Sequence, residues 1–95
     1  MATPDLNISP GAGARDVFVI NRGKFPVPLP GEIVIEHPVL TADGAGAYRS
    51  GQQDGTLHFI RRTDVWPWLD PGRKIPTGWL RFHEEPARIQ WHFKP

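Results

Sequence analysis

The sequence predicts an all-β protein, a small antiparallel barrel or sandwich of five to six short strands with an extended N-terminal arm. Three observations carry this expectation. No stretch of twelve residues keeps apolar side chains at the 3.6-residue period of a helix between sensible caps. Ten glycines and eleven prolines among 95 residues exceed their usual share, which favours short elements joined by turns. Several short segments are rich in β-branched and aromatic residues and are bounded by turn-forming ones.

The elements follow in order. Residues 1–16 have two sizeable apolar side chains, Leu6 and Ile8, and no period. They read as a flexible arm ahead of a β-domain over 17–95, with Leu6 and Ile8 as anchors should it lie on a neighbour. Residues 16–21 (DVFVIN) read as the first strand, ended by the turn-prone Asn21-Arg22-Gly23. In 25–30 (FPVPLP) proline recurs at every second position, which predicts a stiff polyproline II spacer that supplies no ladder hydrogen bonds. Residues 32–37 make a second strand, and Asp43-Gly44 offers a tight turn into a weak strand around 47–49. A turn at 52–55 then leads into a strand over 56–62.

At the C-terminal end, 79–83 (WLRFH) and 88–93 (RIQWHF) flank Glu84-Glu85-Pro86-Ala87 and read as a hairpin. Pairing His83 with Arg88 sets Phe82 against Ile89 and Leu80 against Trp91, with Phe93 beyond, on one apolar face. Arg81, Gln90, His83, Arg88 and His92 take the other.

Composition excludes several classes of function. Without cysteine, neither a disulfide framework nor a thiolate metal site supplements the small core. The N-terminus lacks the pattern of a secretory signal, and the longest apolar run, Val17 to Ile20, is too short to span a bilayer. The expected location is the cytoplasm, or a virion if the source is viral, with no membrane partner. The net charge of +1 names no partner, although the basic residues gather C-terminally: residues 1–60 carry four Lys or Arg against six Asp or Glu, and residues 61–95 seven against four. Neither serine, Ser9 or Ser50, has a histidine or acid at the spacing of an activated nucleophile.

Residues 64–79 (DVWPWLDPGRKIPTGW) hold three of the four tryptophans. Left bare, they would expose on the order of 600 Å² of mostly apolar area, so cover is expected for at least two of them. The segment reads as a lid over one open end of the β-domain, with Trp68 turned inward next to Leu69. Trp66 and Trp79 remain for contact with a partner, Trp79 beside Arg81 on a polar face. Leu6, Ile8, Trp66, Arg73, Lys74, Trp79 and Arg81 are the candidate partner-binding residues.

The histidines are His37, His58, His83 and His92. If strand 56–62 pairs with the hairpin, His58, His83 and His92 share a face, and three imidazoles are enough for zinc. No His-x-His or His-x-x-x-His pair supports that, so no metal and no cofactor are expected. His58 and His92 with Arg81 and Arg88 also have the acid, base and cation of a metal-independent ribonuclease. Arg61, Arg62, Arg73, Lys74, Arg81, Arg88 and Lys94, interleaved with Trp66 and Trp79, have the cation-plus-stacking chemistry of single-stranded nucleic-acid binding, at a pI of 8.3 that is low for tracking phosphates. The leading expectation is a non-enzymatic structural or adaptor subunit that docks on a larger protein assembly and forms a homo-oligomer. A virion decoration or head–tail accessory protein has this size, arm and β content. A single-stranded nucleic-acid-binding domain or a small metal-independent ribonuclease is the alternative.

Overall fold

The computed structural model describes residues 3–9 and 14–94. It contains ten strands and no helix among them: β1 (Asp5–Ile8), β2 (Arg15–Ile20), β3 (Val27–Pro28), β4 (Glu32–Ile35), β5 (Thr41–Gly44), β6 (Tyr48–Gln53), β7 (Thr56–Arg61), β8 (Trp68–Leu69), β9 (Lys74–Arg81) and β10 (Trp91–Lys94). The all-β class is as expected, with more and shorter strands than the five or six read from the sequence. Two four-stranded antiparallel sheets, ordered β1-β2-β9-β5 and β10-β4-β7-β6, face each other, and a two-stranded ribbon, β3-β8, adjoins them. The sheets do not close on one another, so of the two expected architectures the molecule is the sandwich and not the barrel.

Alternation along each strand decides what lies between the sheets. Val17 and Val19 of β2 and Leu80 of β9 point in from the first sheet. They meet Ile33 and Ile35 of β4, Leu57 and Phe59 of β7, and Tyr48 of β6 from the second. Each such side chain contributes about 1.5–3 kcal/mol by leaving water. Tyr48 also donates its hydroxyl to Pro30 O at 2.6 Å, and burial pushes its pKa well above the ordinary value, so it stays a neutral donor. The sheets come close at Gly78, which pairs with Gly44: a Cβ there would lie 2.2 Å from Asp43 O and 2.6 Å from Phe59 Cε1. At this point the β2–β9 register shifts, leaving Thr77 as the extra residue of a bulge.

Four sequence readings need correction. The C-terminal hairpin does not form: β9 pairs with β2 and β5 in the first sheet, while β10 pairs with β4 in the second. The inferred apolar face is real, since Leu80 is buried and Phe82, Ile89, Trp91 and Phe93 pack against the core. Residues 82–90 instead carry the chain across from one sheet to the other, tied back by Arg15, which contacts the Glu85 carboxylate through Nε at 2.7 Å and through Nη2. Alternation specifies an inward face but not which strand lies alongside.

The proline-rich segment 25–30 is not purely a spacer, because Val27 pairs with Leu69 and the Leu29 N–H donates to Pro67 O at 2.8 Å. The residues between its prolines keep their donors. Asp43-Gly44 ends β5 in place of forming a turn, and the chain reverses at 45–47, where Tyr48 N–H donates to Ala45 O and Gly46 has a φ of 59°. Within the segment read as an arm, residues 5–8 form β1, paired with β2, and Leu6 and Ile8 sit opposite Val19 and Val17. Residues 1, 2 and 10–13 of that segment lie outside the described residues.

Candidate functional site

The ribbon β3-β8 presents an aromatic ridge to solvent. Val27 and Leu69 face each other and point inward, so their neighbours Pro28 and Trp68, also opposite each other, point outward. Trp66 lies two residues before Trp68, just outside the strand. The two indoles are 73% and 46% exposed, and nearby Phe25 is 76% exposed. This corrects two readings. Trp68 is not the inward residue, because Leu69 takes that position and adjacent residues of a strand face opposite ways. Nor are at least two of the three indoles of 64–79 covered within the chain, since Trp66 and Trp68 are both exposed.

One buried side chain positions the ridge. Asn21, 2% exposed, donates from Nδ2 to Phe25 O at 2.8 Å and to Leu69 O at 2.9 Å, and its Oδ1 accepts from Gly23 N–H at 2.9 Å. Its backbone N–H donates to Arg73 O and its carbonyl accepts from Gly72 N–H. Every polar atom of Asn21 is thus satisfied, and each bond ties loop 21–29 to itself or to loop 66–73. Because a single amide holds both the Phe25 and Leu69 carbonyls, the Phe25 backbone lies beside Leu69, at the other end of the ribbon from Trp66. A turn over 70–73, with Pro71 second, Gly72 third at a φ of 75°, and Arg73 N–H on Asp70 O, then leads the chain into β9.

The candidate partner-binding residues divide among three places. Trp66 is exposed just ahead of β8, and Arg73 is exposed on the turn that follows it. Lys74, Trp79 and Arg81 lie on β9: Trp79 is half-buried on the outer face, opposite Asp16 and Asp43, and Arg81 is exposed. The Lys74 ammonium stands 5.0 Å over the Phe18 ring, a cation–π contact within that same face. Leu6 and Ile8 lean against the core. Among the other cations, Arg61 donates from Nη1 to Leu29 O and Arg62 from Nε to Gly46 O, so both are engaged with backbone.

Of the three histidines grouped on the sequence, two share a face. His58 of β7 and His92 of β10 both lie opposite Val34 of the intervening β4, whereas His83 follows β9 and lines a separate groove with His37. The Nδ1 of His58 contacts the Glu32 carboxylate, and that of His92 contacts Glu36. The hydrogen bond from His58, with the charges of His58, Lys94 and His92, holds the Glu32 carboxyl below its ordinary 4.5 despite the opposing effect of burial. Among the described residues no three His, Asp or Glu side chains converge as a metal-binding group.

Phe25, Asn21, Glu32 and Glu36 were not singled out on the sequence for these roles, and Trp68 was assigned inward. Trp68 was within reach of the period-two rule. The roles of Asn21 and the two glutamates depend on partners 26 to 56 residues away.

No curated protein and no solved structure matches the chain. A family pattern does match, over residues 5–83, which span β1 to just beyond β9 and leave out β10. The chain therefore belongs to the family described as a domain of unknown function, DUF8456.

Proposed function

We propose that the protein is a non-enzymatic structural or adaptor subunit that docks on a larger protein assembly, and that the exposed aromatic side chains around the ribbon, Trp66 and Trp68 at one end and Phe25 at the other, are its docking element. The supporting observation is the concentration around one ribbon of three of the four large hydrophobic side chains that are exposed among the described residues. Together they leave bare on the order of 400 Å² of aromatic surface, comparable with the largest patch most monomers tolerate. Tryptophan is also the residue type that most often dominates binding energy once its ring is enclosed. Asn21 holds the ridge in place beforehand, which reduces the ordering cost of association.

Pro26, Pro28 and Pro30 lack an N–H along one side of the ribbon, so an incoming strand finds few donors there. Recognition then runs through side chains, with the indole N–H groups available to acceptors at the rim of an apolar pocket. Exposed Asp64, Asp70 and Arg73 surround it and set orientation.

The test is the native mass of the protein isolated from its own source. The expected result is a complex heavier than the 10.7 kDa chain, with the partner identified, that the double variant Trp66→Ser, Trp68→Ser weakens by roughly 30-fold or more without moving the unfolding midpoint. A monomer from the source, or a double variant that keeps its partner, overturns the proposal.

A further inference from the structure

The outer face of the sheet β10-β4-β7-β6 has chemistry that docking does not use. Register places His92, Val34, His58 and Gly51 in one row across the four strands, and Lys94, Glu32, Ile60 and Arg49 in the next. His58, His92 and Lys94 line one open groove over Val34, with Glu36, Thr56, Gln53 and Asp54. We propose that this groove is a metal-independent acid–base site for phosphodiester transfer in single-stranded RNA, with His58 as base and His92 as acid.

Three features support it. First, each imidazole gives its Nδ1 to a carboxylate, which fixes the ring and leaves Nε2 as the nitrogen for proton transfer. Glu32, kept ionised by its neighbours, stabilises the imidazolium that His58 becomes on accepting a proton. Second, the histidines stand on strands two apart, so their backbones are about 10 Å from each other. In-line displacement at phosphorus puts the attacking and leaving oxygens on opposite sides, each needing a nitrogen within about 3 Å, and the two imidazoles line the groove on either side of Val34, His58 largely buried in its wall and His92 exposed. Third, each glutamate is engaged by its own histidine. Lys94 in the groove and Arg49 at the far edge of the face remain to meet the phosphate, with Asp54 as the acid on the rim. Beside His58 a side chain on Gly51 would meet nothing within 4 Å, which leaves room for the nucleotide.

In the reaction His58 Nε2 takes the proton of the ribose 2′-hydroxyl as the bond from that oxygen to phosphorus forms. The bond from phosphorus to the 5′-oxygen breaks, its electron pair stays on that oxygen, and His92 Nε2 supplies the proton. Lys94 stabilises the charge on the non-bridging oxygens. The products are a 2′,3′-cyclic phosphate and a 5′-hydroxyl, and no metal, oxidant or further reactant enters.

The full chain is incubated with the dinucleotide uridylyl-3′,5′-adenosine in the presence of a chelator. Expected are the cyclic phosphate, a bell-shaped pH–rate profile, no cleavage of the deoxy dinucleotide, and a loss of 10²- to 10⁴-fold in His92→Ala. His92 is exposed, so that variant keeps its fold, as its unfolding curve verifies. An intact dinucleotide at stoichiometric protein, equal rates for wild type and His92→Ala, or a rate that the chelator abolishes overturns the proposal.

Discussion

Asn21 shows how a single side chain prepares a surface. Its amide is the common partner of two carbonyls on segments far apart in sequence, so its removal leaves those acceptors and the Gly23 N–H unpaired in a buried place. Asn21→Ala is expected to lower stability by about 3 kcal/mol, measured by urea denaturation, and to release the ridge. Glu32 makes a different claim, about pH. A carboxyl whose folded pKa is depressed adds stability above its unfolded value and loses it as pH falls through the folded one. For Glu32 that window opens below 4.5. Between about pH 6 and about pH 3 the wild-type unfolding midpoint is therefore expected to fall further than that of Glu32→Gln, and parallel curves for the two proteins contradict this. The residue types were visible from the start, but neither role was, since an asparagine before Arg22-Gly23 reads as an ordinary turn residue.

Strands were legible where alternation and β-branched content coincide, as in β2, β4 and β7. The short ones were not. β3 and β8 have two residues each, and β1 is an edge strand whose Leu6 and Ile8 gain their value from β2 alongside. Deleting residues 3–9 is accordingly expected to cost about 2 kcal/mol in urea denaturation, from the two half-buried side chains, and to expose the β2 edge to self-association. An unchanged midpoint would return this segment to the status of an arm. The C-terminal hairpin teaches the converse. Its apolar face was read correctly and its pairing was not, because Leu80 and Trp91 pack toward one core from different sheets.

Across the molecule, two of the surfaces left uncovered by the core are chemically unlike. One end bears indoles and prolines held by a buried amide, and the outside of one sheet bears two imidazole–carboxylate pairs. Composition, turn chemistry and period-two patterning were enough to establish an all-β protein and to mark its inward side chains, since both follow from local sterics and from the exclusion of apolar groups from water. Strand partners, the sandwich in place of a barrel and the meeting of His58 with His92 over Val34 came from long-range pairing. Many antiparallel arrangements satisfy the same alternation, and the choice among them rests on how two sheets fill one space, with Phe59 packed closely over Gly78.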